Sequence, residues 1–398
     1  MVAQRDKTVE LPIFIATLFH EVGETGVHTH FREFRDYLEQ SGAEVEVVTP
    51  FSWNRPLTYL AFPPRLALRY LSAPAGVWWY RHWHEMFIYR ALRNRLSEVD
   101  ECVVYAQGPL EARAALRARR GPRQSVSMAV HFRVSQADEH SEPGREIKRD
   151  GVFYRAIRRL EREVILGVDG LIYVSEWARD AVLAWLPEGA SVPSAVIGNA
   201  VVPLTVGDPP EKMADLVSLG TLENRKNHRF LLEVLAEAKR NGRRLTLDIY
   251  GVGPLHNELT RQISALGLEG QVRLQGFRRD VRQVLPAYRV YVHASYIETS
   301  SLAIIEAMAA GLPIVAGGIG PIPELYDDGV EGRFWPLDDP TRAAAILLGL
   351  LDSESALEKA SIAARQRFHR EFDIEASAAR LKSFLLEAAA GKAGEATA

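Results

Sequence analysis

Glu298-Thr299-Ser300-Ser301-Leu302-Ala303-Ile304-Ile305-Glu306-Ala307-Met308-Ala309-Ala310-Gly311-Leu312-Pro313 sets two carboxylates eight residues apart around a small polar break and an apolar run. Ser300 and Ser301 are N-cap residue types, and Ala303 to Ala310 are strong helix formers. Gly311 and Pro313 then supply the stop before Ile314-Val315-Ala316, which reads as a strand. Glu298 therefore sits just before a helix and Glu306 lies inside it. Apart from Glu306 this helix is apolar and must be largely buried, and a buried carboxylate without a partner is costly. Either something polar meets Glu306, or it faces solvent beside a structural helix. The helix start, with unpaired N–H groups and the positive end of the dipole, suits a phosphate.

Outward from this stretch, short apolar strands alternate with helical segments almost from end to end, which favours a parallel α/β architecture over sandwiches or bundles. Strands are expected over 11–16, 44–49, 103–105, 125–130 and 170–174, with a loop over 23–28 leading into a helix over 29–40. A second series, over 216–219, 245–250, 272–274, 290–292 and 314–316, includes helices over 229–241 and 255–266. Val206-Gly207-Asp208-Pro209-Pro210-Glu211 interrupts both periodicities and is the linker candidate. The expected layout is two doubly wound, Rossmann-like domains, 1–205 and 206–372, then a helix over 373–390 and a disordered tail over 391–398. Ligands of such sheets bind at the carboxyl ends of strands, so the site is expected in the cleft between the domains.

Composition narrows the function. With 398 residues, 47% hydrophobic and 25% charged, each of two domains has enough chain for its own core. One cysteine, Cys102, rules out an internal disulfide and a Cys-based metal cage, and its place before Val103-Val104-Tyr105 reads as strand core. The formal charge of −3 gives nucleic acid no overall electrostatic invitation. Without a run of 18 or more apolar residues or a signal-peptide core at the N-terminus, the expected location is cytoplasmic, including the inner face of the membrane.

Ser218-Leu219-Gly220-Thr221-Leu222-Glu223-Asn224-Arg225-Lys226-Asn227-His228 follows a strand and enters a helix. Cations at a helix N-terminus oppose the dipole, so Arg225 and Lys226 suit an anionic partner such as a diphosphate; the plain alternative is a solvated pair. Gly251-Val252-Gly253-Pro254 reads as a turn, and Gln275-Gly276-Phe277 as either a ligand-facing turn or a tight turn with a core phenylalanine. Gly23 and Gly26 flank a loop that allows close backbone approach to phosphates. His131 ends a strand at the edge where active-site groups collect. His28, His30, His82 and His84 lack carboxylate or cysteine company and are read as surface residues, leaving no metal site. The stretch 53–90 mixes Trp53, Trp78, Trp79 and Trp83 with Arg55, Arg65, Arg69, Arg81 and Arg90. That mixture suits stacking on an acceptor, an anionic membrane surface, or a buried hairpin with snorkelling arginines.

The Glu298 to Glu306 segment resembles the Glu-x7-Glu signature of retaining glycosyltransferase family 4, a nucleotide-sugar-dependent group with the GT-B fold. The resemblance implies that Glu298 contacts donor-sugar hydroxyls, that Ser300, Ser301 and Leu302 offer N–H groups to sugar and phosphate, and that Glu306 holds the ribose. It places Lys226 on the diphosphate. Thr221 stands where the family commonly has Arg, and Arg225 supplies that charge as in members reading Gly-Thr-Leu-x-x-Arg-Lys. It further implies that Gly276 and Phe277 meet the base, that Gly26 approaches the phosphates in a partial match to an adjacent Gly-Gly, and that His131 touches the hexose. The reaction implied is metal-independent hexosyl transfer with retention, from a UDP- or GDP-sugar donor substrate to a glycan, lipid-linked or small-molecule acceptor, with no cofactor. The rivals are a GT-B nucleotide-sugar epimerase and a non-catalytic nucleotide-sugar-binding partner subunit; a glycogen-type phosphorylase needs a longer chain.

Overall fold

The structure, a computed structural model, describes residues 11–19, 26–53, 56, 58, 61, 64, 68, 72–132, 134–141, 147–204 and 211–397. The chain divides into two compact units, Met1–Gly198 with Ser377–Ala398, and Asn199–Ala376. Gly23, Arg55, Arg65, Arg69 and linker residues 206–210 lie outside the described residues.

The first unit holds β1 (Ile13–Ala16), β2 (Val45–Val48), β3 (Cys102–Ala106), β4 (Gln124–Val130), β5 (Gly170–Tyr173) and β6 (Ser194–Val196). They pair in parallel in the order β2-β1-β3-β4-β5-β6. β1, β3, β4 and β5 are buried along their whole length, as strands covered by helices on both faces must be. Val104, Val126, Met128 and Leu171 pack with Ile88 and Leu92 of helix Ala73–Leu96 and with Ala112 and Ala115 of helix Pro109–Ala118. Cys102 belongs to this core, and burial pushes its thiol up to about 12.

The second unit holds β7 (Leu216–Leu219), β8 (Leu247–Tyr250), β9 (Val272–Gly276), β10 (Val290–His293), β11 (Ile314–Gly317) and β12 (Gly332–Trp335), all parallel, in the order β12-β11-β10-β7-β8-β9. The chain steps outward from β7 through β8 and β9. It then returns to the other side of β7 for β10 and continues outward. The strand order thus reverses between β7 and β10, and between β1 and β3 in the first unit; such reversals open a crevice at the carboxyl ends of the strands.

Three details depart from the sequence reading. The first helix starts at Gly26 rather than at 29. β6 and β12 were not expected: β6 is a three-residue strand without a fully buried side chain, and β12 sets Arg333 between Gly332 and Phe334. The last helix runs Ile374–Thr397, past the tail boundary at 391, because Ala, Lys and Glu around Gly391 and Gly394 are good helix formers and a glycine weakens a helix by only about 1 kcal/mol.

The glycines at 251 and 253 serve the second unit's loops. Gly220 N–H donates to the Tyr250 carbonyl at 3.0 Å, Leu222 N–H to Val252 at 3.0 Å, and Leu255 N–H to Leu222 at 3.0 Å. A Cβ on Gly251 falls 1.9 Å from the Gly220 carbonyl oxygen, and one on Gly253 lies 2.5 Å from that of Leu222. Gly251→Ala should therefore lower stability in urea by roughly 2–3 kcal/mol. Gly121→Ala, whose Cβ meets nothing within 4 Å, should stay within about 0.5 kcal/mol of wild type. Equal midpoints for the two variants would show that this close approach is absent.

Candidate active site

At the β7/β10 reversal two loops are joined. Asn224–Lys226 form a 3₁₀ turn after β7, and the Arg225 carbonyl accepts from Tyr296 N–H at 2.9 Å and the Ser295 hydroxyl at 3.0 Å, both from the loop after β10. The Lys226 stem crosses Gly220 so closely that a Cβ there would lie 3.3 Å from its Cδ. This path carries Lys226 Nζ to 2.6 Å from Glu298 Oε1, and His293 Nε2 approaches the same oxygen at 2.9 Å. Glu298 is only 8% exposed. Burial by itself raises its pKa, but Lys226 and His293 outweigh burial and hold the carboxyl well below the usual carboxylate range. His293 is depressed, burial overcoming the pull of Glu298. With Glu298 ionised and the imidazole neutral, Nε2–H donates to Glu298 and Nδ1, 3.2 Å from the Tyr291 hydroxyl, accepts from it.

The helix expected after the serines runs Leu302–Ala309 with Ser301 as N-cap, and Gly311 takes the left-handed conformation that ends it, φ +73°. Ser301 does not cap with its side chain: the Ser300 and Ser301 hydroxyl oxygens are buried without a hydrogen-bond partner among the described residues. Leu302 and Glu306 are half-buried. Next to Lys226, Asn227 adopts φ 51°, ψ 39°, the left-handed region, as N-cap of helix His228–Arg240. Its amide nitrogen and His228 Nδ1 are likewise buried without a partner. Protein interiors rarely tolerate such a group of unmet donors and acceptors, and their position next to Lys226 and Glu298 in the chain makes this the candidate site for a polar ligand.

Other residues read from the sequence fall as follows. Phe277 is 45% exposed after Gly276, whose φ is +72°, which corrects the core-phenylalanine alternative. Arg225 is not a bare cation, since its Nε lies 2.8 Å from Glu223 Oε1, an oxygen that also accepts the Thr221 hydroxyl at 2.5 Å. Gly26 opens the first helix. His131 follows β4, with Nε2 3.0 Å from Gln107 Oε1, and burial lowers its pKa to about 4. His82 stacks on Trp78 in an exposed position, whereas His84 is buried with Nδ1 2.8 Å from the Tyr80 carbonyl, so the surface reading of His84 is corrected. The side chains of His28 and His30 lie outside the described residues. In 53–90, Trp53 stacks on Phe87, Trp79 donates to the Ala61 carbonyl, and Val77, Phe87 and Ile88 are buried, so part of the described stretch belongs to the core; Trp78 remains 52% exposed. Among the described residues no group of three or more His, Cys, Asp or Glu side chains is arranged to hold a metal ion, and no helix is long and apolar enough to cross a membrane.

Sequence reading missed His293, Glu223 and a buried polar group in the first unit. There Glu111 accepts Leu18 N–H at 3.1 Å beside the β1/β3 reversal, and Arg81 donates to Gln136, whose N–H donates to Glu161. Burial raises Glu111 and Glu161 to about 7. The signal for His293 was present: like His131, it is a histidine terminating an apolar strand.

Two parallel six-stranded sheets, each reversing its strand order and flanked by helices, define a two-domain GT-B architecture. Residues 25–203 match the family model described as Glycosyltransferase Family 4, and residues 214–353 match Glycosyl transferases group 1, so the two parts of the chain are each similar to a glycosyltransferase family. It is 30% identical over 166 residues to the amylovoran biosynthesis glycosyltransferase AmsK of Erwinia amylovora, covering 40% of this chain and 41% of that one. It is 26% identical over 360 residues to a phosphatidyl-myo-inositol mannosyltransferase of Mycolicibacterium smegmatis, covering 87% and 86%. The first three curated relatives are matched over 29%, 41% and 46% of their own lengths. The structure superposes on Anabaena HepE in complex with UDP and glucose with a TM-score of 0.69 and 19% identity, covering 95% of this chain and 100% of that one; at that identity the likeness concerns the fold.

Two outcomes follow from the electrostatics. Removing one member of the buried pair, as in Lys226→Met or Glu298→Leu, should cost about 3 kcal/mol, and the double variant should recover much of it; additive losses in a double-mutant cycle would show that the two do not interact. His228, buried, is lowered to about 3 by burial first, then by His293 and Lys226. The unfolded chain protonates this residue below about pH 6.5 while the folded side chain stays neutral, so stability falls by roughly 2 kcal/mol from pH 7 to pH 5. Urea titrations should show a flatter pH dependence for His228→Gln; an unchanged slope would place the titration elsewhere.

Proposed function

We propose that this chain is a retaining hexosyltransferase that moves a sugar from a UDP- or GDP-linked donor to an acceptor hydroxyl, forming an α-linkage. The observation that carries the reading is the buried Lys226–Glu298 pair beside the partnerless Ser300 and Ser301 hydroxyls, at the strand-order reversal of the second sheet. Departure of the diphosphate develops negative charge while the sugar becomes oxocarbenium-like. Lys226 and the N-terminus of helix Leu302–Ala309 would stabilise the leaving group, a kind of electrostatic assistance that usually dominates such steps. Arg225 would join them by exchanging Glu223 for phosphate. Glu298 is assigned to sugar hydroxyls, Glu306 to the ribose, and Gly276 with the exposed Phe277 to the base. His131 and Gly26 are assigned to the hexose and the phosphates on the resemblance alone.

Retention is assigned to same-face attack, with the leaving phosphate taking the acceptor's proton. In this route protein cations and the helix dipole stabilise the leaving group, which makes it metal-independent. The acceptor is a glycan, a lipid-linked acceptor or a small molecule. Peripheral contact of 53–90 with the inner face of a membrane would use Trp78. An epimerase would release nucleotide without an acceptor, and a partner subunit would bind donor without turnover.

The test is a thermal-shift panel of UDP, GDP and their glucose, mannose and N-acetylglucosamine conjugates on wild type and Glu306→Ala. A nucleotide at 100 times its dissociation constant stabilises the folded protein by about 2.7 kcal/mol. Stabilisation by one nucleotide family, weakened in the variant, is the expected result and names the base. Absence of any shift with both proteins folded would sink the donor-site reading.

A further inference from the structure

β10 is a central strand, paired to β11 on one side and β7 on the other. Tyr291 and His293, two apart, point to the same face of the sheet, and their rings stack at 6.0 Å with 25° between planes. Tyr291 packs in the core with Ile304, Ile305 and Met308 of helix Leu302–Ala309, while His293 is the last residue of the strand, next to the loop that carries Glu298. His293 is buried. An apolar side chain would fill this position without the cost of desolvating an imidazole. Both ring nitrogens instead find partners, Nε2 at 2.9 Å from Glu298 and Nδ1 at 3.2 Å from Tyr291, and the residue's carbonyl accepts from Trp335 Nε1 at 3.2 Å. Lys226 and His293 both bond to Oε1 of Glu298, so Oε2 takes no part in either bond.

We propose that His293 is a positioning residue for the donor sugar: together with Lys226 it pins Oε1 of Glu298 and so presents Oε2 to a sugar hydroxyl. Lys226 alone, on a flexible four-carbon stem, leaves the carboxylate free to rotate, and a Lys226 drawn toward a diphosphate loosens its own hold. A ring wedged on the strand and oriented by Tyr291 does not move with the diphosphate. His293 then keeps Glu298 aimed at the moment when Lys226 is shared. The residue itself is too deeply buried to touch the donor, so it acts through Glu298. This role rests on the donor-site reading above.

The test compares the bare nucleotide with its sugar conjugate, using UDP against UDP-glucose and GDP against GDP-mannose in calorimetric titrations. Replacing His293 by Leu should leave the affinity for bare nucleotide near wild type and weaken the sugar conjugate about tenfold, the scale of one hydrogen bond to a charged group. His293→Gln, which keeps a donor near the Nε2 position, should restore most of that loss. In a Glu298→Gln background the leucine substitution should have no further effect on the conjugate-to-nucleotide ratio; a purely structural role for His293 would weaken both ligands in either background. If His293→Leu does not fold, the wild type still decides: its His293 ring-nitrogen resonances, assigned by their loss in His293→Gln, should respond more strongly to the conjugate than to bare nucleotide. Equal responses, or an unchanged ratio in the variant, overturn the positioning role alone. Failure of the wild type to bind any of the four compounds overturns the donor site and this role with it.

Discussion

A lysine and a glutamate buried against each other at 2.6 Å organise the carboxyl edge of the second unit's sheet. Neither charge is tolerable alone where it sits, so the two loops that carry them must meet, and the backbone bonds from Ser295 and Tyr296 to Arg225 follow from that meeting. The pair spans the place where the strand order reverses, and the polar groups without partners lie next to it in the chain. With His293 and Tyr291 the pair extends into a line of hydrogen bonds that runs from the loop after β7 into the core beneath helix Leu302–Ala309.

The surroundings carry costs that a purely structural region would shed. Among the described residues, the Asn227 amide nitrogen on its left-handed backbone, one nitrogen of the buried His228 and two serine hydroxyls at a helix start find no hydrogen-bond partner. The glycines at 251 and 253 let backbone pass where a side chain would collide, and Gly220 leaves room for the lysine stem close by. Strain and unmet polarity persist where the rest of the fold over-determines them, and here two rigid sheet edges do so. The first unit repeats the theme more modestly: Glu111, raised by burial, ties down Leu18 at its own strand-order reversal.

The sequence showed much of this in advance. The alternation of apolar strands with helices was enough for the α/β class, and strong local signals placed the helix after Ser301 and its stop at Gly311. Where local signals were weak, the reading stopped short. β12 interleaves a charge with aromatics, β6 has one exposed and two half-buried residues, and the glycines of the last helix looked like breakers although their neighbours carry the helix through. At the candidate site, Glu298, Lys226 and Phe277 stood out in the sequence for their residue type and position. Their partners did not, because Glu298 is separated from Lys226 by 72 residues and no periodicity connects them.

What the sequence determined by itself was the local grammar: strand or helix, cap and stop, and which side chains are chemically unusual for their position. Only the tertiary structure decided that Lys226 meets Glu298, that His293 stands behind them, and that Arg225 is held by Glu223. Secondary structure follows from contacts within a few residues, which a sequence displays directly. A buried charge network depends on which strand lies beside which and how far each loop reaches, and those are settled only when the sheet is assembled.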